Sequence, residues 1–407
     1  MNCRNCSQHL QHIFVDLGYA PPSNAYIEPE LADRPEATFP LQVYVCEHCW
    51  LVQTKDYVQA EELFSATYAY FSSISSGWLK HAREYAEMII RRQNLGKDSL
   101  VIEIASNDGY LLKNFVAVDI PCLGIEPTTE TAHAAMALNI PVLSEFFTSQ
   151  LASKLVANNQ QADLVIGNNV LAHVPDIKDF VCGLQRVLKP SGIVTMEFPH
   201  LLQLLQNDQF DTIYHEHFSY LSLDVVRQIF NQAGLEIINV EELPTHGGSL
   251  RIYACHLNPE HSPNDDIKRI LQAEIDYGLQ QIEIYLGFQQ RVERIKGELL
   301  SFLKEQKKLG KSVVGYGAAA KGNTLLNYAS IKPDMLPVIC DAAPSKQGKL
   351  MPGSHIPIYS PDYLIQNCPD YLLILPWNIA QEVKEQNVQL ELLGTKFVTA
   401  VPRLNIS

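Results

Sequence analysis

Tyr214-His215-Glu216-His217 puts two imidazoles, a carboxylate and a phenol into four consecutive positions, with Phe218-Ser219-Tyr220 directly after. These side chains move protons. Imidazole titrates near neutrality, and burial can bring a carboxylate into the same range. Two histidines at i and i+2 with an acid between them could also chelate a metal, but no third ligand motif lies nearby. His217 is therefore read as a general base. Glu216 either orients it or serves as the base itself. On a strand or extended turn the two would face opposite ways, whereas a tight loop could aim both at one point.

Cys3-Arg-Asn-Cys6 and Cys46-Glu-His-Cys49 form two C-x2-C pairs, separated by residues 7–45. Each pair aims two thiolates from one knuckle at a common ion, and two knuckles complete a tetrahedral zinc site. The gap is longer than in the usual zinc ribbon. Four thiolates leave no open position, so the zinc is expected to be structural, with His48 exposed rather than ligating.

Glu103-Ile-Ala-Ser-Asn-Asp-Gly109 follows a short apolar strand and opens a helix. Open α/β folds bind nucleotide-like ligands at this place. Ala105, Asn107 and Gly109 form the turn, and small residues let backbone approach a ligand. Glu126, with Pro127 after it, ends the next strand 23 positions after Glu103, where an acid takes ribose hydroxyls. A dinucleotide and S-adenosylmethionine (SAM) both fit those features. Glu103 suits a cationic amino-acid group better than a pyrophosphate, and the third glycine of G-x-G-x-x-G is missing, so SAM is favoured. Asn168 and Asn169 end a third strand, and His173 follows them toward the same cleft.

These loops need a frame. Residues 78–94 have an amphipathic helical pattern. Short apolar strands before Ala105, Glu126 and Asn168, and another over 192–197, alternate with helical stretches, which predicts βαβ units and a parallel sheet. Residues 265–308 contain no proline and read as one or two long helices. Strands near 311–316, 335–341 and 370–375 then restart an α/β pattern, predicting a second doubly wound sheet. The expected division is a zinc-binding module over 1–75, a SAM-binding domain over 76–257, and a helical linker with a Rossmann-like domain over 258–407.

The 407 residues carry a formal charge of -14, which disfavours a nucleic-acid partner because phosphate backbones need clustered lysine and arginine. No apolar run approaches bilayer length and the first residues lack a signal-peptide pattern. A cytoplasmic protein is expected, its nine cysteines reduced or metal-bound.

In order along nearly the whole chain, the double C-x2-C, the Glu103–Gly109 loop, Tyr214–Tyr220, His246-Gly-Gly-Ser249, Gly315-Tyr-Gly-Ala-Ala-Ala-Lys-Gly-Asn-Thr324 and Asp341-Ala-Ala-Pro-Ser-Lys-Gln-Gly348 resemble one family. It is the SAM-dependent C-methyltransferases of nucleotide-linked keto-deoxysugars. The Tyr-His-Glu-His and Gly-Tyr-Gly-Ala-Ala-Ala-Lys-Gly segments are the specific ones. The resemblance implies a class I methyltransferase sheet, a zinc module before it and a Rossmann-like domain after it that helps hold a nucleotide sugar, dTDP-linked in the family pattern's terms. It implies His217 as base at a carbon made acidic by a neighbouring ketone, with Tyr214 donating to the keto oxygen. His173 is expected to line the site, as is one of Tyr68 and Tyr70.

The 315–324 loop resembles a phosphate cradle, with backbone N–H groups at a helix start and Lys321 adding charge. It lacks Walker spacing, and as a dinucleotide loop it lacks a clean acid after it. A nucleotide-sugar diphosphate is the favoured ligand, contacted by Tyr316, Lys321 and Asn323; a purely structural Rossmann copy is the alternative. His246 and Arg251 are further substrate candidates. An O- or N-methyltransferase, a C-methyltransferase of a non-sugar ketone, and a non-catalytic assembly protein are the competing functions. The oligomeric state is open, a monomer included.

Overall fold

The computed structural model describes residues 1–57, 63, 71–258 and 264–407; Tyr68 and Tyr70 lie outside them. Three sheets organise the described residues. The first begins with β1 (His12–Ala20), β2 (Phe39–Val45) and β3 (Val52–Thr54), all antiparallel.

The central sheet uses β4 (Val101–Ile104), β5 (Cys122–Ile125), β6 (Val142–Leu143), β7 (Ala162–Asn168) and β8 (Leu188–Pro199), all parallel. After β8 comes β9 (Ser219–Tyr220), which leaves this sheet and pairs with β3, Val52 opposite Tyr220. Then β10 (Leu235–Leu243) and β11 (Ser249–His256) close the central sheet antiparallel, giving the order β10-β11-β8-β7-β4-β5-β6. Chain direction around the sheet reverses between β4 and β7, and ligands of open α/β sheets sit at such switch points.

The third sheet contains β12 (Val313–Tyr316), β13 (Ile339–Cys340), β14 (Ile358–Tyr359), β15 (Tyr371–Ile374), β16 (Lys396–Thr399) and β17 (Asn405–Ile406), in the order β14-β13-β12-β15-β16-β17. All its pairings are parallel except β16–β17. It too switches direction, between β12 and β15. Two doubly wound sheets were expected, and two are present.

The amphipathic stretch forms the Ser76–Arg92 helix, started by Ser75, whose hydroxyl accepts from the Trp78 N–H. Residues 265–308 form three helices rather than one or two: Asp265–Tyr277, Ile282–Leu286 and Phe288–Lys308. Gly278 breaks the run by taking a left-handed φ of 95°.

The cores cross the expected domain limits. Cys3, Leu10, Cys46 and Leu51 share one apolar cluster with the central sheet. Phe14, Leu41 and Val43 share another with the Phe288–Lys308 helix and the third sheet. The N-terminal module thus packs against both other parts and contributes apolar side chains to the core of each.

Candidate active site

The four cysteines converge. Their sulfurs all lie within 4.8 Å of one another, with Cys3–Cys49 and Cys6–Cys46 each at 3.5 Å. Tetrahedral zinc–thiolate bonds of about 2.3 Å place sulfurs about 3.8 Å apart, so the cluster fits the ion. Ser7 and Trp50, each just past a knuckle, take φ of 64°, and the Gln53 amide donates to the Cys3 sulfur at 3.2 Å. His48 is exposed beside Glu47, as expected. Among the described residues this is the one cluster of metal-ligating side chains. His215 meets Phe39 edge-to-face at 6.0 Å, while the ring neighbours of His217 are His173, Tyr214 and Tyr220.

The Glu103–Gly109 loop emerges from β4 at the switch point. Ala105 and Asn107, which occupy glycine positions of the usual methyltransferase loop, keep left-handed φ of 55° and 49°. The backbone path is therefore retained at the cost of about 1–2 kcal/mol of strain per non-glycine residue. Gly109 has φ 77°, and a Cβ there would come within 2.4 Å of Ile140. Glu103 is buried, and neither carboxylate oxygen has a hydrogen-bond donor in good geometry. Burial, then the nearby Glu126 and Asp108, push its ionisation well up, with Tyr110 opposing. Asn168 is also buried with its amide oxygen and nitrogen unpartnered. A cationic ammonium is what such a carboxylate lacks, so the loop fits the methionine end of SAM. Glu126 accepts from the Asn107 N–H at 2.9 Å and from both the N–H and hydroxyl of Thr128, and Pro127 follows it on the rim.

The Tyr214–His217 segment is a tight turn closed by the His217 N–H on the Tyr214 carbonyl at 3.0 Å. It is anchored on both sides. Thr54 of β3 donates to the His217 carbonyl at 3.1 Å, and the Phe218 N–H donates to the Ala172 carbonyl at 2.8 Å. The His217 Nδ1–H donates to the Thr212 carbonyl at 2.7 Å, which fixes the tautomer and leaves the lone pair on Nε2. Tyr214 lies over the ring at 4.0 Å between centroids, and His173 meets it edge-on at 4.6 Å. Burial, then His173, hold His217 well below the usual histidine range, and burial pushes His173 down to about 4. Both rings are neutral at neutral pH.

Glu216 points elsewhere, to Asn24 of the N-terminal module, whose amide donates to it at 3.1 Å. Its second oxygen has no partner, and burial pushes the carboxyl up to about 7.

A second group of rings, near enough to His173 for its charge to act on His246, lies against the Glu103–Gly109 loop. His173 lies four residues beyond Asn169, which donates from its amide to His246 Nε2 at 2.9 Å. Trp78 sits 5.2 Å from the His246 ring and 5.9 Å from Tyr110, the residue after Gly109. Nothing in the sequence marks Trp78 beyond its place on an amphipathic helix.

Lys321 comes from the start of the Ala320–Tyr328 helix of the third sheet. Its ammonium lies over the Trp377 ring at 4.8 Å and donates to Asn378 at 2.9 Å and the His246 carbonyl at 3.5 Å. Burial pushes it down to about 8, against Asp211. Asn323 is buried with its amide nitrogen unpartnered, one turn into the same helix.

Two expected substrate contacts are placed otherwise. Tyr316 belongs to β12 rather than to the loop after it, and is packed in the apolar core of the third sheet with Val314, Ile374 and Phe397. Arg251, internal to β11, bonds Glu197 at 3.0 Å and Glu241 at 3.3 Å and stacks on Tyr85. An acid does follow the 315–324 loop: Asp341, after β13, accepts from the Ala318 N–H at 2.7 Å, as Glu126 does from Asn107. Asp341 ends the strand expected over 335–341, of which Ile339–Cys340 pair as β13.

A doubly wound sheet with a strained loop at its switch point, a buried acid at the loop's head and a four-thiolate zinc site define a zinc-containing class I SAM-dependent methyltransferase. Comparison with known proteins agrees. Residues 3–64 match a zinc binding domain family, 78–240 a methyltransferase domain family, and 244–402 the C-methyltransferase C-terminal domain family. The chain is 32% identical to C-methyltransferase NovU of Streptomyces niveus over 400 residues, 98% of this chain and 95% of that one. It belongs to this C-methyltransferase family. Solved structures similar to it include the magnesium protoporphyrin IX methyltransferase of Synechocystis PCC 6803 with bound SAM (TM-score 0.35, 14% identity, covering 44% of this chain and 80% of that one). The CcbJ methyltransferase of Streptomyces caelestis is another (0.35, 14%, 44% and 90%). Among the described residues, no helix is long and apolar enough to cross a membrane.

Proposed function

We propose that this C-methyltransferase acts on a nucleotide-linked 4-keto-6-deoxysugar, dTDP-linked in the family's manner, and methylates C3. The observation that carries the reading is the His217 tautomer, with Nδ1–H held by Thr212 and Nε2 left to accept a proton. A sugar carbon becomes a nucleophile only after losing a proton, and the adjacent ketone makes that proton acidic by accepting the charge. His217 removes the C3 proton at Nε2, and the charge moves to the keto oxygen. Tyr214, stacked on the base, donates to that oxygen; one such donor is worth about 3 kcal/mol of barrier. His173 backs the base. Glu103, Ala105, Asn107, Gly109, Glu126, Pro127, Asn168 and Asn169 would hold SAM, which would supply the electrophilic methyl for the new C–C bond and leave as its demethylated thioether. Glu216, with a buried free oxygen, accepts a sugar hydroxyl and fixes the ring.

The diphosphate lies toward the third sheet, where Lys321 and Asn323 present a cation and an amide, with His246 between the two sheets. Support for the sugar nucleotide comes from the Gly315–Thr324 motif and from the second Rossmann-like sheet behind it. One observation favours Glu216 as the base instead: a carboxyl at about 7 is matched to neutral pH.

Incubation of a dTDP-linked 4-keto-6-deoxyhexose in deuterated water without SAM tests the chemistry. Exchange at C3 is expected from the wild type and from Glu216→Gln, but not from His217→Asn. Loss of exchange in Glu216→Gln alone assigns the base to Glu216. No exchange in any of them, with methyl transfer intact, points to an oxygen or nitrogen acceptor.

A further inference from the structure

The turn carrying Glu216 and His217 is completed by a residue from the zinc module. Among the described residues, Asn24 is the one side chain that donates to Glu216, at 3.1 Å on Oε1. Asn24 lies in the connection between β1 and β2, and that connection is pinned close by. The Tyr26 hydroxyl donates to the Ala318 carbonyl at 2.6 Å, and Ile27 pairs with Leu350. Lys346 donates to the same Ala318 carbonyl at 2.9 Å and lies over the Tyr26 ring. One short piece of chain therefore touches the acid of the central turn at one residue and the Gly-rich loop of the third sheet two residues later.

The geometry points to Asn24 as a positioning residue for the methyl-transfer reaction: its amide favours the ionised form of the Glu216 carboxylate and aims it, leaving Oε2 for substrate. The inference rests on the reading of Glu216 as a substrate-facing group. No cation stands against Glu216 among the described residues. The titratable groups near it are the hydroxyls of Tyr26 and of Tyr220 on β9, both held neutral, and the ring of His173, which bonds the Glu216 backbone. Lys346 and Asp341 lie behind Tyr26 and pair with each other at 3.4 Å. A buried carboxylate with no cation depends on its hydrogen-bond donors to stay charged, so removal of the Asn24 amide shifts it toward the neutral acid.

A double-mutant cycle tests this with a dTDP-linked 4-keto-6-deoxyhexose as substrate. Asn24→Leu is expected to lower turnover about tenfold at neutral pH, with recovery as pH rises, because losing one hydrogen bond to an ion moves its titration by about a unit. In the Glu216→Gln background the same change should have little further effect. Zinc content and SAM affinity should stay at wild-type values in both. Asn24→Asp keeps the shape, replaces the donor with an acceptor, and should move the acid limb at least as far. An equal, pH-independent loss in both backgrounds overturns the inference, because Asn24 is then merely structural. So does wild-type turnover in Asn24→Leu alongside a crippled Glu216→Gln, and in that case the reading of Glu216 survives. Wild-type turnover in Glu216→Gln removes that reading and this inference together.

Discussion

His217 is held by its neighbours in a form that can only accept. Thr212 takes the Nδ1 proton, and burial keeps the ring neutral. Replacing it by asparagine removes the acceptor and retains a donor toward Thr212. General-base removal of this kind costs about 10²–10⁴-fold in rate, so turnover of His217→Asn should fall in that range. The ring contacts Tyr214, His173 and Thr212, not the Glu103 loop, so calorimetry should return a SAM affinity near wild type; a collapse would make the residue structural. Glu216 carries a cost the variant can expose. Its carboxyl rises from 4.5 to about 7 on folding, so the folded chain holds that proton more tightly than the unfolded one. Stability is then full below 4.5 and declines as pH rises to about 7, by up to about 3 kcal/mol. Glu216→Gln removes the charge. We expect its melting temperature, relative to wild type, to climb between about pH 5 and pH 8 while turnover falls. A difference that does not change with pH would contradict the burial of an ionisable Glu216.

At the scale of elements, the cofactor loop shows how backbone can be kept while side chains drift. Ala105 and Asn107 sit at φ values that glycine adopts freely. Ala105→Gly relieves about 1–2 kcal/mol of left-handed strain and loses about 0.4–1 kcal/mol through a freer unfolded chain. The melting temperature should therefore hold or rise slightly, and a clear fall would show that the Ala105 methyl packs. Gly109→Ala should do the reverse. Its Cβ would collide with Ile140 and press on the Ala135 backbone, so both melting temperature and SAM affinity should drop.

The strands that frame this loop were legible because each is an apolar run ended by a turn. The tight turn at 214–217 was not, since four polar and aromatic residues give no periodicity to choose between strand and loop. Tyr316 and Arg251 were misplaced for a related reason. A motif states which residues are present, while strand parity and a buried partner, here Glu197, decide where each points. Asp341 ends a strand the sequence does show, over 335–341, but its pairing with the Ala318 N–H is a tertiary contact that no motif spacing states. Asn24 and Trp78 could not be seen at all, as each meets its partner only through tertiary contact.

Over the whole molecule, the zinc module does more than cap an end. Its knuckles sit in the apolar cluster of the central sheet, β3 pairs with β9 just after the 214–217 turn, and Thr54 bonds the His217 carbonyl. Loss of metal should thus be felt first at that turn and only later at the SAM loop, which is built on β4 and β5. Structural zinc contributes folding energy outright, and Cys46→Ser removes one of four ligands. We expect this variant to lose bound zinc and melt at a lower temperature. During graded chelation of the wild type, methyl transfer should disappear while calorimetric SAM binding persists. If SAM affinity instead falls in step with activity, the module acts by holding the entire fold together, and the link through β9 carries no separate weight. A zinc-free protein with unchanged turnover would sever the module from the chemistry altogether.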